Sequence, residues 1–313
     1  MIIVFGALSI NITMRVDDLP GTGENISAKA MRMLHTGKGG NQAFAAARMG
    51  EKTAVVGCVG DDIFGLELTD LLRRNGTMTS GVAKSTYPTG TSFTLIDNKG
   101  KTQVVYNAGA NLDTDHEQVP DEILLDGNML LLQTEINNDE NIKLLERASQ
   151  SGVKTMMNLA PATNLTNKML GYLDYLVINS REAKKIAEKL KVKSDDKGQG
   201  LAAALAKAGN LICIVTSGPG GSIAVQPDGT AVQVEAYKIP DEEVKDMLGA
   251  GDCYCGTLVA ALHMGKNIGE AMRYASVAAS LSVRKMGTQE AYPYLDDVNE
   301  HLENVKQPES FKV

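Results

Sequence analysis

Short apolar runs alternate along the chain with longer segments that have a helical spacing of apolar positions. The runs, bounded by Gly, Asn or Pro, are "IIVFGA" (2–7), "TAVVGCVG" (53–60), "NMLLLQTE" (128–135), "KTMMNLA" (154–160), "YLVIN" (175–179) and "LICIVTS" (211–217). The helical segments include "NQAFAAARMG" (41–50), "DIFGLELTDLLRRNG" (62–76), "NDENIKLLERASQSG" (138–152) and "SREAKKIAEKLK" (180–191). This alternation predicts an α/β fold with a mostly parallel sheet flanked by helices on both faces.

Three segments have the pattern of β-hairpins instead. Residues 9–34 and 90–111 alternate around Pro-Gly and Asn-Lys-Gly turns, and we expect them to leave the main sheet and pair as a small β-sheet lid. Residues 220–239 turn at Pro-Asp-Gly and predict an antiparallel edge of the main sheet. The predicted domains are a core of residues 1–8, 35–86 and 112–313 and a lid of residues 9–34 and 87–111.

Composition narrows the class of protein. The 313 residues, 43% hydrophobic and 22% charged, are enough for one large domain with a small appendage. The net charge is −7 and the 31 Lys and Arg are scattered, which argues against nucleic acid or an anionic membrane as partner. With no basic leader and no apolar run of about 18 residues, we expect a cytoplasmic protein. The four cysteines lie in apolar patterns and are expected to be buried, reduced thiols.

Candidate chemistry is concentrated in the loops that follow the predicted strands, where ligands bind in open parallel sheets. These loops are "TGKGGNQA" (36–43), "QTE" (133–135), "NLAPA" (158–162), "NSRE" (179–182), "TSGPGG" (216–221) and "GAGD" (249–252). The chain has no dinucleotide-binding glycine motif after its first strand, no P-loop and no Gly-x-Ser-x-Gly elbow. These absences exclude the dinucleotide-binding, P-loop and α/β-hydrolase classes.

The string "GAGDCYCG" at 249–256 predicts a phosphate site. Gly249 and Gly251 leave the first amides of the following helix open, and a helix start of this kind stabilises negative charge. Asp252 in the same turn could accept the proton of an attacking hydroxyl. Alone, the acid could equally be an ordinary N-cap.

Two longer strings resemble the signatures of the ribokinase, or phosphofructokinase-B, family of carbohydrate kinases. They are "GKGGNQAFAAARMG" (37–50) and "DMLGAGDCYCGTL" (246–258), and "CVGDDIFG", "NAGAN", "NLAPA", "NSRE", "TSGPGG" and "MGTQEAYP" follow the family's order. The resemblance covers the whole chain and implies ATP-dependent phosphorylation of a sugar hydroxyl. It makes Asp252 the catalytic base, with an anion hole formed by the amides of Gly249, Ala250 and Gly251.

The resemblance also implies the binding residues. Substrate would contact Ser9, Asn11, Gly37, Lys38, Asn41, Glu135 and Asp252; the nucleotide would contact Asn179, Thr216, Gly218, Gly221 and Gly251. Asn179 and Glu182 would hold a Mg²⁺ network, and Asp246 would adjoin a possible K⁺ site completed near Val283, Gly287 and Ala291. The alternatives are a helix cap at Asn179, a plain turn at "TSGPGG", a surface charge at Lys38 and a solvated acid at Asp246.

Several residues depart from the family pattern. Asn11 stands where an acid usually contacts the sugar, and Thr36 replaces a glycine; Met247 and Cys253 replace threonines, and Tyr254 replaces phenylalanine. Phosphoryl transfer is expected to survive these changes, whereas the specificity remains open. Ribose, phosphorylated to ribose 5-phosphate, is the first expectation.

Three alternatives to a ribose kinase remain: another carbohydrate kinase of the same family, a nucleoside kinase of the adenosine type, and a non-catalytic sensor on the same scaffold. Met14, Met31 and Met33 in the lid hint at a nucleoside, although methionine in a lid more often packs between two sheets. Because the lid would expose an apolar face and strand edges, we expect a homodimer formed through it.

Overall fold

The computed structural model describes residues 1–162, 165–190 and 198–313. In these residues the strands are β1 (Ile2–Phe5), β2 (Ser9–Arg15), β3 (Ala30–Thr36), β4 (Thr53–Gly60), β5 (Met78–Ser85), β6 (Gly90–Ile96), β7 (Thr102–Asn107), β8 (Met129–Gln133), β9 (Lys154–Asn158), β10 (Tyr175–Asn179), β11 (Ile212–Thr216), β12 (Ser222–Val225), β13 (Thr230–Val234) and β14 (Glu309–Lys312). The helices are α1 (Lys38–Arg48), α2 (Ile63–Arg74), α3 (Asn138–Gln150), α4 (Asn167–Leu170), α5 (Ser180–Leu190), α6 (Gln199–Gly209), α7 (Ala250–His263), α8 (Ile268–Ser282) and α9 (Leu295–His301). The predicted helix 180–191 corresponds to α5, and its last residue lies outside the described residues.

The large sheet has the order β14-β13-β12-β11-β10-β9-β8-β1-β4-β5. Strands β5, β4, β1, β8, β9, β10 and β11 run parallel to their neighbours, and β12 to β14 are antiparallel. The mostly parallel sheet and the antiparallel hairpin of residues 220–239 are thereby confirmed. That hairpin is not the edge itself, because β14 pairs outside it.

Alternate residues of the central strands face two different cores. Ile2 and Val4 belong to an apolar cluster with α1, α2, α7, α8 and α9, whereas Ile3 and Phe5 belong to one with α3 to α6. Strands covered on both sides must be apolar throughout, which is why these runs lack alternation. The prediction of helices on both faces is confirmed. All four cysteines are buried and free, as expected.

A separate four-stranded sheet forms the lid, in the order β3-β2-β6-β7. Each predicted hairpin is antiparallel, and the two hairpins join through the parallel pair β2 and β6. Strand β3 continues to Thr36, two residues beyond the predicted end of the first lid segment. None of the helices in the described part of the chain combines the length and apolar character that crossing a membrane requires.

The helices α1 and α7 pack closely because Gly256 of α7 has no side chain. A Cβ on Gly256 would lie 2.3 Å from the carbonyl oxygen of Gln42 and 2.7 Å from Cβ of Ala45. The backbone of α7 therefore lies directly against α1, which fixes the position of one helix relative to the other.

We expect Gly256→Ala to reduce the free energy of unfolding by about 1–3 kcal/mol, because the added methyl group overlaps backbone that cannot move freely. Urea denaturation would measure the change. Gly171→Ala is the matched control, since a Cβ there would lie 3.6 Å from its nearest neighbour, an ordinary contact. Equal stability of the two variants would show that α1 and α7 can separate without cost.

Candidate active site

The loops singled out in the sequence meet at the carboxyl ends of the parallel strands. Gln133 ends β8 and Asn158 ends β9, while α1 starts two residues after the lid strand β3. Hydrogen bonds from α1 reach Glu135, Asn158 and Asp252. One crevice therefore collects the ends of the central strands and the starts of α1 and α7.

The start of α7 presents open backbone amides. Gly249 adopts a φ of 76°, and its carbonyl oxygen accepts a hydrogen bond from Oη of Tyr292 at 3.0 Å. Among the described residues, no acceptor contacts the amides of Gly249, Gly251 or Asp252, whereas that of Ala250 makes a long bond of 3.4 Å to the carbonyl of Met247. A Cβ on Gly251 would meet no atom within 4 Å. Three of these four amides are thus available to an anion.

Asp252 lies in this first turn and is only 6% exposed. Its Oδ2 accepts a hydrogen bond from Nδ2 of Asn41 at 2.9 Å, and its Oδ1 accepts one from Nε2 of Gln42 at 2.9 Å. The ammonium of Lys38 is 3.6 Å from Oδ1. The charge of Asp252 raises the pKa of Lys38 and outweighs the opposing effect of burial. The acid does not cap its own helix; it is held by side chains of α1.

Glu135 lies on the other side of Lys38. Its Oε2 accepts a hydrogen bond from the backbone amide of Lys38 at 2.7 Å. Burial raises the pKa of Glu135, and the charge of Lys38 opposes this rise. Lys38 therefore stands between two carboxylates and belongs to the crevice.

Ser9 is buried where the chain passes from the core into the lid. Its Oγ accepts a hydrogen bond from Nδ2 of Asn111 at 3.1 Å. The same asparagine accepts from the amide of Leu8 at 2.8 Å and donates to the carbonyl of Leu8 at 2.9 Å. Asn111, the last residue of "NAGAN", thus fixes the first sugar-binding candidate.

Asn11 hydrogen-bonds within the lid sheet. Its Nδ2 donates to Oγ of Ser92 at 2.7 Å and to Oγ1 of Thr94 at 3.0 Å. Its Oδ1 accepts from Oγ1 of Thr13 at 2.6 Å. Both amide hydrogens are used, so Asn11 offers a ligand only the remaining acceptor capacity of Oδ1, and the hydroxyls of Ser92 and Thr94 are left to donate.

Strand register separates two rows of side chains across the lid. An inner row contains Leu34, Asn11, Ser92 and Tyr106, and an outer row contains Met33, Ile12, Phe93 and Val105. Partial burial raises the pKa of Tyr106, the charge of Glu135 adds to the rise, and hydrogen bonds with Ser9 and Asn111 oppose it. The inner row therefore faces the crevice that holds Glu135.

Gly37 and Thr36 connect the lid to α1. Gly37, just before the helix, has a φ of 86°, and the helix start has no side-chain cap. The Thr36 hydroxyl, where the family usually has a glycine, lies 3.4 Å from Nδ2 of Asn41. The extra side chain is turned toward α1.

The loop after β11 forms a tight turn beside α7. Thr216 ends the strand, and Gly218 and Gly221 have φ angles of 54° and 82°. Oη of Tyr254 donates to Oγ of Ser222 at 2.8 Å, at the end of this loop. The hydroxyl that distinguishes Tyr254 from phenylalanine is therefore used to join α7 to the glycine turn.

Asn179 and Glu182 lie at the start of α5. Oδ1 of Asn179 accepts from the amide of Glu182 at 2.9 Å, which is the helix-cap arrangement given above as the alternative. Burial raises the pKa of Glu182, against amide hydrogen bonds from Asn179 and Ala162 and the charge of Lys38. Among the described residues, no partner contacts the buried Oε2 of Glu182. An unpaired carboxylate oxygen here fits a hydrated cation as the missing partner.

Asp246 joins two loops next to α7. Its Oδ1 accepts from the amide of Leu248 at 3.0 Å and its Oδ2 from the amide of Gly287 at 3.1 Å. The carbonyl of Val283 accepts from the amides of Lys245 and Asp246. Of the predicted cation-site residues, Asp246, Val283 and Gly287 lie together. The Val283 carbonyl, however, has both lone pairs engaged and does not fit as a cation ligand in this arrangement.

Comparison with known proteins identifies the family to which this chain belongs. The sequence pattern described as "pfkB family carbohydrate kinase" matches residues 1–295. A ribokinase from Bacillus subtilis is 30% identical over 303 residues, covering 96% of this chain and 99% of that protein. The chain belongs to the pfkB family of carbohydrate kinases.

Solved structures agree with this assignment. The crystal structure of a ribokinase from Thermotoga maritima has a TM-score of 0.87 and 28% identity, covering 97% of this chain and 99% of that one. The structure of Arabidopsis thaliana ribokinase complexed with ribose and ATP has a TM-score of 0.87 and 26% identity, covering 96% and 98%. The predicted ribokinase-like fold and the activity of an ATP-dependent carbohydrate kinase are confirmed.

Several buried polar residues of this pfkB kinase were missed by sequence reasoning. They are Gln42, Asn111, Gln133, Asn158 and Gln289. Gln42, Gln133 and Asn158 stood within the strings "GKGGNQA", "QTE" and "NLAPA" that were selected as loops. The available signal was a polar amide at the end of an apolar run, where burial forces it to find a partner.

We expect Glu182→Gln to stabilise the ligand-free kinase increasingly as pH rises. Burial places the pKa of Glu182 above its unfolded value of 4.5, so the wild type loses stability as pH rises through the folded-state pKa. The variant cannot ionise and avoids that loss. Urea denaturation at about pH 4.5 and about pH 8 would measure the difference between variant and wild type.

Glu188→Gln, at an exposed position of the same helix, controls for removing one negative charge. A stability difference for Glu182→Gln that is flat across this pH range, or that falls, would contradict the assigned burial.

Proposed function

We propose that this kinase transfers the γ-phosphate of ATP to the primary hydroxyl of ribose, with Asp252 as the general base. The observation that carries the proposal is the buried Asp252 carboxylate beside three open amides at the start of α7. The similarity to ribokinases, one of them solved with ribose and ATP, supports ribose as the acceptor.

The reaction follows from these groups. Asp252 accepts the proton of the sugar hydroxyl while the hydroxyl oxygen forms a bond to the γ-phosphorus. The bond from that phosphorus to the leaving oxygen of ADP breaks at the same time. The amides of Gly249, Gly251 and Asp252, at the positive end of α7, stabilise the charge on the transferring group. The Lys38 ammonium, 3.6 Å from Oδ1 of Asp252, would help to neutralise that charge.

Sugar recognition would combine charged groups of the core with neutral groups of the lid. Lys38 and Glu135 supply the charged donors and acceptors, and Gly37 leaves the backbone accessible. Asn41 shares its amide with Asp252, so it would position the base and the sugar together. A buried sugar hydroxyl left without a partner costs about 1–3 kcal/mol, which makes this set of groups selective.

The lid methionines do not favour the nucleoside-kinase alternative. Met14 and Met31 pair directly across β2 and β3, and Met33 lies in the outer row. Because side chains alternate between faces, these three methionines point away from Asn11 and from the crevice. The inner row instead presents an amide and hydroxyls, which suits a sugar better than a nucleobase.

The nucleotide is proposed to lie along the start of α7 and the turn at Gly218 and Gly221, after Thr216. Asn179 and Glu182 would hold the Mg²⁺ that accompanies ATP, through water. When bound, Mg²⁺ neutralises phosphate charge. The K⁺ site near Asp246 remains a prediction that the engaged Val283 carbonyl does not favour.

We expect Asp252→Asn to lower kcat by at least about 100-fold, because the amide cannot take up the proton. Binding of ATP and sugar should persist. Purified protein would be assayed with ATP, Mg²⁺ and a panel of pentoses, hexoses and nucleosides, and the highest kcat/KM is expected for ribose. A higher kcat/KM for a nucleoside would establish the alternative kinase, and ligand binding without turnover would establish the sensor.

We further propose that two copies associate through the outer face of the lid. Met31 is 66% exposed and Val105 is 69% exposed, and the outer row continues across all four strands through Ile12 and Phe93. An exposed apolar face on a sheet with open edges marks an interaction surface.

Val105→Lys should convert the dimer to a monomer in sedimentation equilibrium at micromolar concentration. Val104→Lys is the control, because Val104 is 60% exposed but lies opposite Thr94 on the inner face. A wild-type protein that sediments as a monomer, or equal dissociation of both variants, would contradict association through the outer face.

A further inference from the structure

The side chain of Gln42 is fully buried and makes three hydrogen bonds. Its Nε2 donates to Oδ1 of Asp252 at 2.9 Å and to Oδ1 of Asn158 at 3.0 Å. Its Oε1 accepts from Nε2 of Gln133 at 2.9 Å. Both amide hydrogens are used, so the side chain is held from three sides.

The direction of these bonds is fixed by charge. An ionised carboxylate can only accept hydrogen bonds, so Asp252 requires the NH₂ group of Gln42 to face it. The Gln42 oxygen then faces Gln133, which must donate. Within the described residues, the Oε1 of Gln133 has no partner, and it lies where a Cβ on Gly6 would come within 1.9 Å. The amide chain thus ends against Gly6, the residue that follows β1.

The anchors of Gln42 belong to two neighbouring strands of the central sheet. Gln133 and Asn158 are the last residues of β8 and β9, which pair in register with each other. Nδ2 of Asn158 donates to the carbonyl of Val177 on the next strand at 3.3 Å. Gln42 therefore transmits the position of the central sheet to a carboxylate on α7.

We propose that Gln42 is a positioning residue for phosphoryl transfer, whose amide holds the Asp252 carboxylate in the orientation that accepts a proton. The inference rests on the proposed role of Asp252 as the base. Gln42 touches neither substrate in this assignment; it acts through Asp252. Asn41 binds the second oxygen of the same carboxylate, and the two adjacent side chains together fix its plane.

The test replaces Gln42 by methionine, which has nearly the same shape and cannot donate. We expect the single-turnover rate of phosphoryl transfer to fall about 10- to 100-fold, because the base is no longer held in line. The KM for ATP should stay within about twofold. The acidic limb of the rate against pH should move upward, because a hydrogen bond that favoured the charged carboxylate is lost.

Gln42→Glu provides a second variant that preserves polarity and packing. It places another carboxyl group next to Oδ1 of Asp252, so the two share a proton and the acidic limb should move further upward than in the methionine variant. Gln118→Met is the control. Nε2 of Gln118 also makes two hydrogen bonds, to the carbonyls of Gly57 and Gly81, and its loss should leave the pH profile unchanged.

The outcomes separate the two proposals. Wild-type activity in Asp252→Asn would show that Asp252 is not the general base, and it would overturn the proposed reaction as well. An inactive Asp252→Asn together with a wild-type acidic limb in both Gln42 variants would overturn only the positioning role. If Gln42 acts through Asp252, the acidic limb of the rate against pH is expected to move upward in both Gln42 variants. It should keep its wild-type position in Gln118→Met.

Discussion

A buried negative charge is stable in a protein only when hydrogen-bond donors surround it, and in this kinase that requirement organises the candidate active site. Asp252 lies at the start of α7, where the open amides contribute part of the favourable field. The donors that contact its oxygens come from α1, through Asn41 and Gln42. The position of α1 against α7 is therefore an electrostatic necessity as well as a matter of apolar packing.

Close backbone approach makes this arrangement possible. Gly256 lets α7 lie against the carbonyl of Gln42, and Gly6 leaves room for the Gln133 amide behind it. A side chain at either position would push apart the groups that hold the carboxylate. The apolar cores on both faces of the sheet then keep these distances constant, since packed interiors resist small displacements. The rigid half of the active site is thus built into the sheet and its two closest helices.

The fold could be predicted because buried parallel strands and amphipathic helices have distinct patterns. Strand β14 was missed because all its residues are exposed, and β5 because its sequence "MTSGVAKS" lacks both an apolar run and a clear alternation. At the site, Asp252 was identified from its helix start and the family resemblance. The partners of Asp252 were not identified, because the role of Gln42 depends on which groups three other elements bring to it. Period-two alternation in the lid likewise separates two faces without saying which one faces inward, so the sequence could not decide whether Met31 and Met33 contact a ligand or pack elsewhere.

Tyr254 and Asn11 are the departures from the family pattern that have the clearest structural consequences, and these consequences differ. Tyr254 adds a hydroxyl that hydrogen-bonds to Ser222 inside the protein, so it joins α7 to the glycine turn and is not itself offered to a ligand. Asn11 stands where the family usually has an acid, so the inner face of the lid lacks that charge, and the Asn11 amide donates to hydroxyls of β6 instead. Because the lid belongs to a separate sheet and shares no described hydrogen bond with the Asp252 carboxylate, its polar pattern can change without loss of the base. In the proposed site, the groups that would transfer the phosphate lie at the start of α7, whereas the groups that would bind the sugar are divided between the core and the lid. A change confined to the lid therefore leaves Asp252 and its donors in place.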